Sequence, residues 1–266
     1  MIVHNFSPVL VDFGFFQIKW YSIAYIIGII LGWVYANKII IKTSKNNYDY
    51  QSIKKADFDD LILYLIFGII IGGRIGYVIF YNLEYYSENF LEILKVWKGG
   101  MSFHGGLLGV MLATFVFAKK TDNNFFKFSD IIACVAPIGI FLGRLANFIN
   151  GELYGKISTM PWAVIFPNVD SMPRHPSQLY EAALEGLVLF IIINYLALKK
   201  ELIYKTGYIS AFFLIGYSAL RIFSELFREP DMQLGLLFNN FSMGTLLSLL
   251  TIIIGLLIAK SLKKNE

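Results

Sequence analysis

The sequence predicts an all-α polytopic membrane protein with seven transmembrane helices, its N-terminus outside, its C-terminus cytoplasmic, and a small extracytoplasmic head. Three observations carry that prediction. Of 266 residues, 56% are hydrophobic and only 16% charged, with 24 Phe, a balance far from that of an ordinary soluble domain. The apolar residues gather in runs of about 20, the length that crosses roughly 30 Å of hydrocarbon as a helix. The basic residues fall mainly in alternate connections, which gives the spans a direction.

Taken in order, the runs lie near 19–41, 58–82, 102–118, 130–150, 181–198, 207–227 and 236–259. The N-terminal stretch lacks the basic start, short apolar core and small-residue cleavage site of a removed signal peptide, so the first span is expected to stay. The connections after the first, third and fifth spans, with the C-terminal tail, hold thirteen Lys from Lys42 to Lys264. The opposite side holds six basic residues, Lys19, Lys95, Lys98, Lys156, Arg174 and Arg228. The positive-inside rule then orients the chain. Topology accounts for the net charge of +4, and no nucleic-acid partner is expected.

Between the spans, LEYYSENFLEILKVW places Leu83, Tyr86, Phe90, Leu94 and Trp97 on one helical face, predicting an interfacial helix over about 83–98. Residues 156–177 carry four of the seven prolines around the β-like run WAVIF, so about 151–180 is expected to form the head. Gly28/Gly32, Gly68/Gly72/Gly76, Gly105/Gly109 and Gly139/Gly143 stand four apart in apolar runs, the spacing of closely packed helices. No repeat or linker interrupts the chain, so 1–266 is read as one membrane domain. Cys134 alone excludes an internal disulfide and is read as packing.

Polar residues inside these runs need another explanation, because charge near the bilayer interior is costly and faces a partner or a cavity. GRLANFINGELYG, residues 143–155, sets Arg144, Asn147, Asn150 and Glu152 in a row. Arg221, Glu225 and Arg228 follow i, i+4, i+7 and are expected to share a helical face, where the Glu can pair with either Arg. Two Arg for one Glu, with Arg144 added, predicts surplus positive charge for an anion such as phosphate, which the planar guanidinium fork suits. Arg74, beside Gly72 and Gly73, fits either a ligand or a carbonyl. The depth of the spans places these groups, with Tyr21 and His104, in the outer half. His104 precedes Gly105 and Gly106 and has the chemistry of a base near neutral pH. With His only at 4, 104 and 175 and no metal-type spacing, neither a metal nor another cofactor is expected.

The chain closely resembles the prolipoprotein diacylglyceryl transferases, bacterial membrane enzymes that begin lipoprotein maturation. The likeness runs through KWYSIAY with Tyr21, GGRIGYVIFYN with Arg74, HGGLLG with His104, the signature GRLANFINGELYG, RHPSQLYE, YSALRIFSELFREPD and SMGTLLSL. It implies a multi-pass protein of the bacterial inner (cytoplasmic) membrane. The implied reaction transfers the sn-1,2-diacylglyceryl group of phosphatidylglycerol to the lipobox cysteine in a prolipoprotein signal peptide, releasing glycerol phosphate. By similarity Arg144, Asn147, Glu152 and Gly155 bind the lipid, while His104, Tyr21 and Arg221 match positions important for activity.

The expected site therefore has His104 and Arg221 as catalytic residues. Arg144, Asn147, Glu152, Gly155, Tyr21, Glu225 and Arg228 bind substrate. Arg144, Arg221 and Arg228 would hold the phosphate as negative charge builds on it; His104 is the first choice of base and Glu152 the second. A transporter of an anionic substrate is the alternative, since intramembrane Arg and Glu also line substrate paths. It lacks the internal repeat that transporters commonly show.

Overall fold

A computed structural model of the protein describes residues 2–14, 17–46, 53–230 and 242–264. The chain forms two compact units, Met1–Ala36 with Asp130–Glu266, and Asn37–Ser129. Eight helices occur among the described residues: α1 (Trp20–Asn46), α2 (Lys55–Tyr81), α3 (Leu83–Glu88), α4 (Phe103–Lys120), α5 (Phe125–Asn150), α6 (Ser177–Leu198), α7 (Tyr208–Glu225) and α8 (Met243–Lys264). Five of them, α1, α2, α5, α6 and α8, are long and apolar enough to cross a membrane. The other two expected spans are helices of 18 residues, α4 and α7, made more polar by His104, Lys119 and Lys120 in one and by Arg221 and Glu225 in the other. Residues 236–241, with which the seventh expected span begins, lie outside the described residues.

In the second unit, α2 and α4 pack through their glycines. A Cβ on Gly72 or Gly105 would be driven into the carbonyl oxygen of the other, and Gly68 and Gly109 stand in the same relation. This is the close backbone approach that the four-residue spacing allows.

Residues 83–98 do not form the single interfacial helix that their periodicity predicts. They break into α3 and two 3-10 turns, Phe90–Leu94 and Val96–Lys98. Leu83, Phe90, Leu94 and Trp97 are exposed, but Tyr86 turns inward. The cause is Arg74, buried on α2, whose guanidinium draws five carbonyl oxygens toward itself. It donates to Glu92 (2.5 Å), Ile93 (2.8 Å), Lys95 (3.4 Å), Gly99 (2.6 Å) and Gly100 (3.2 Å), with Tyr86 packed on its face. Of the two roles open to Arg74, the structure supports holding carbonyls. Arg74→Ala would strand them, a loss on the order of 3 kcal/mol, measurable as a lower unfolding temperature in detergent. An unchanged melt would mean that the segment is held by other contacts.

In the first unit the helices are tied by buried polar contacts. Asp130 of α5 takes hydrogen bonds from the Gly207 and Ser210 amides (2.6 and 2.7 Å) and the Ser210 hydroxyl (2.6 Å), so it caps the start of α7 from a neighbouring helix. Asn194 of α6 donates to the Cys134 carbonyl and accepts from the Tyr35 hydroxyl, both at 3.0 Å, linking α5, α6 and α1.

The segment between α5 and α6 forms a small β head. Strand β1 (Ile2–Val3) runs parallel to β4 (Val164–Ile165), which pairs antiparallel with β5 (Pro173–Arg174). Bridges from Ile157 to Arg174 and from Gly155 to Arg228 extend the pairing. A separate hairpin, β2 (Val9–Asp12) with β3 (Gln17–Lys19), runs directly into α1. No strand before the first span is legible in the sequence, because two to four residues are too few for alternation to show. His4 fixes β1 to the head: its Nε2 lies 2.7 Å from the Phe148 carbonyl oxygen, and its ring packs against Phe6, Phe148 and Phe166.

Candidate active site

The polar residues of the first unit converge where α1 begins, α5 ends, α6 begins and α7 ends, next to the β head. α5 stops in a defined way. Gly151 takes a left-handed conformation (φ 68°), its amide bonds to the Phe148 carbonyl (3.0 Å), and the Glu152 amide reaches back to Asn147 (3.2 Å). This double closure is the Schellman stop that glycine permits. It turns Glu152 back over α5, where its Oε1 accepts from the Asn147 side chain (2.8 Å) and the Asn150 side chain (3.3 Å). Asn147 also donates to the Tyr21 hydroxyl of α1 (3.0 Å), so its amide links Tyr21 to Glu152.

α6 supplies the opposite charges. It starts as a regular helix at Ser177–Glu181, widens into a π-helical stretch over Ala182–Val188 and returns to regular form at Leu189. Such stretches recur at functional sites. Gly186 within it lets the helix press against Phe141 of α5, where a Cβ would lie 2.6 Å from the Phe141 Cβ. Glu181 and Glu185 are both fully buried and face α5 and α7.

Arg144 places its Nε 2.9 Å from Glu181 and its Nη2 3.3 Å from Glu185. Arg221 shares its Nη1 between Glu181 (3.0 Å) and Glu185 (3.2 Å), and its Nη2 donates to Glu225. Arg228 approaches Glu181 at 3.6 Å. Ser224 donates to Glu185 (2.9 Å) and Ser242 to Glu225 (2.7 Å). Charges withdrawn from water in this way are tolerable only because each faces its opposite.

The expected surplus of positive charge is therefore corrected. Arg144, Arg221 and Arg228 are matched by Glu181, Glu185 and Glu225. The single-face ladder is also not formed: α7 ends at Glu225, and Arg228 lies beyond it in a bridge to Gly155. Among the described residues, the Nη1 of Arg144 has no partner, and Arg144 has the most exposed side chain of the charged cluster, at 17%. That nitrogen keeps its hydrogen-bonding capacity unused by the cluster.

The structure brings Tyr21, Arg144, Asn147, Glu152, Gly155, Arg221, Glu225 and Arg228 into the first unit, and His104 into the second. His104 is exposed in the first turn of α4, where the Ser102 side chain caps the helix by accepting from the Gly105 amide (3.2 Å). Gly155 serves close packing: a Cβ there would lie 2.5 Å from the His175 carbonyl oxygen and 2.6 Å from that of Phe227. Neither Glu181 nor Glu185 is among the site residues expected from the sequence. Their separation of four residues in an apolar run, the same as that of Arg221 and Glu225, was the available signal.

Around this cluster the head has its own charge contacts. Arg174 pairs with Asp170 at 2.6 Å, approaches Glu229 at 3.4 Å and donates to the Gly155 carbonyl at 3.1 Å. The hydrogen bond from Arg174 holds the Asp170 carboxyl below its usual range. Burial, and then the charge of Lys156, hold His175 below the ordinary histidine value of 6.5, with its Nδ1 3.0 Å from the Tyr180 hydroxyl. A depressed folded value means that the unfolded chain takes up the proton first. The head should therefore lose stability as pH falls below the ordinary value of 6.5 toward the lower folded one. Melts at about pH 7.5 and about pH 5.5 should differ less in His175→Gln than in the parent protein; an equal difference would assign the effect elsewhere.

A family model described as prolipoprotein diacylglyceryl transferase matches residues 8–260. Over 255 residues, 96% of either chain, the sequence is 51% identical to the phosphatidylglycerol–prolipoprotein diacylglyceryl transferase of Rickettsia canadensis. It is 49% identical to that of Rickettsia felis and 48% identical to that of Rickettsia typhi over the same length.

Proposed function

Because the chain belongs to the prolipoprotein diacylglyceryl transferase family, we propose that it moves the sn-1,2-diacylglyceryl group of phosphatidylglycerol onto the lipobox cysteine of bacterial prolipoproteins. The two units act as one transferase domain in the inner membrane. Seven helices span it, α4 and α7 joining the five longer ones, with the N-terminus and head outside and the C-terminus cytoplasmic. The distribution of basic residues supports this orientation. The transporter alternative is not favoured by the family match.

The observation that carries the reading is the buried arginine cluster beside the head. In the reaction the thiolate sulfur attacks the glyceryl carbon that bears the phosphate, and a carbon–sulfur bond forms. The carbon–oxygen bond breaks, its electron pair leaves on the phosphate oxygen, and glycerol phosphate departs. Arg144 meets the phosphate through Nη1, while Arg221 and Arg228 stabilise the charge that builds on it. Tyr21, Asn147, Glu152 and Gly155 shape the lipid site, and Glu225 orients Arg221. A free thiol, with a pKa of about 8.5, is only a few per cent ionised near neutral pH, so a base must take its proton. His104 is assigned that role; Glu152 is already engaged as an acceptor by Asn147 and Asn150.

The test is incubation of the purified protein with phosphatidylglycerol and a lipobox peptide, followed by mass spectrometry of the peptide. A gain of one diacylglyceryl group is expected; an unchanged mass overturns the reading. The nucleophile comes from the substrate, so Cys134→Ser, at a buried position, should retain transfer. Loss of activity in a normally folded Cys134→Ser protein would remove that part of the scheme.

A further inference from the structure

We propose that the start of α8, through Ser242 and Gly244, is a latch that positions Arg221 by way of Glu225. The inference rests on the role proposed for Arg221. Glu225 is the last residue of α7, and its side chain is only 7% exposed. One carboxylate oxygen takes the Nη2 of Arg221, and the other accepts from the Ser242 hydroxyl at 2.7 Å. A Cβ on Gly244 would lie 2.5 Å from Oε1 and 2.9 Å from the carboxyl carbon. The carboxylate thus rests on the first turn of α8, where the peptide dipoles favour negative charge.

Ser242 also accepts from the Thr245 amide (3.1 Å), and its oxygen lies 3.0 Å from the Thr245 hydroxyl. A hydroxyl has one proton to give. With that proton committed to Glu225, the Thr245 hydroxyl is the donor in their contact. Ser242 therefore caps the start of α8 and holds Glu225 with the same oxygen. Arg221 is consequently fixed on two sides, by Glu181 and Glu185 at Nη1 and by the latched Glu225 at Nη2. Ser242 and Gly244 are positioning residues: they touch neither Arg221 nor the reacting groups in this scheme.

Two readouts test the latch. In the transfer assay, Ser242→Ala should lower kcat about tenfold, the worth of one hydrogen bond to a charged group, with little change in KM for phosphatidylglycerol. Ser242→Thr, which keeps the hydroxyl, should restore the rate. In a Glu225→Gln background, Ser242→Ala should add no further loss. Independently of turnover, phenylglyoxal modification read by peptide mass spectrometry should rise several-fold at Arg221 in Ser242→Ala and in Gly244→Ala, but not at Arg74. An unchanged Arg221 reactivity overturns the latch, as does an undiminished Ser242 effect without Glu225. If the parent protein transfers no lipid, the proposed function fails, and the modification pattern still decides the latch.

Discussion

Glu181→Ala is expected to destabilise the protein by about 3–5 kcal/mol, the cost of removing one partner from a buried ion pair. Glu181 is fully buried and faces Arg144, Arg221 and Arg228 at 2.9, 3.0 and 3.6 Å. Without it, three guanidinium groups would share Glu185 and Glu225. Neither oxygen of Glu181 has an aligned hydrogen bond among the described residues, so its contribution is charge rather than donor geometry. Glu181→Gln should therefore lose nearly as much stability as Glu181→Ala. Glu152→Gln should be far milder, because the amide oxygen can still accept from Asn147 and Asn150. Unfolding in detergent, by heat or denaturant, checks the order. A Glu181→Gln protein that melts like the parent would show that the arginines redistribute over the remaining carboxylates without cost.

The features legible in the sequence were those set by local spacing. Runs of apolar residues locate the five longer helices, and four-residue glycine spacing anticipates helices packed as closely as α2 and α4. Arg144 and Asn147 stood out because hydrocarbon does not ask for them. Partnership was harder to see. The spacing of Arg221, Glu225 and Arg228 suggested a ladder only by assuming that the helix continued past Glu225. Charge balance could not be counted until α6 was placed against α5 and α7, which brought Glu181 and Glu185 among the arginines. Residues 83–98 show the same limit: their periodicity is helical, but Arg74, distant in sequence, competes for the carbonyls that a continuous helix would use itself. Strand β1 depends on a partner more than 140 residues away, Ile2 pairing with Val164.

Arg144→Ala should lower kcat for transfer by about 10²–10³-fold, the usual loss when a donor to developing negative charge is removed, while the protein still inserts and folds. Arg144→Lys is the sharper test. An ammonium keeps the charge but lacks the planar fork that reaches Glu181 with Nε and Glu185 with Nη2 and keeps Nη1 as a third donor. If Arg144 were only a counter-charge for the α6 carboxylates, Lys would preserve both stability and turnover. If its third nitrogen holds the phosphate, Lys should preserve much of the stability and still fail in transfer. Peptide mass spectrometry reports the second quantity and a detergent melt the first. Retained turnover in Arg144→Lys would reduce Arg144 to a structural charge; retained turnover in Arg144→Ala would remove it from the mechanism. The geometry favours separation of the two effects, because the nitrogens that meet Glu181 and Glu185 and the remaining one, Nη1, are different atoms of one side chain.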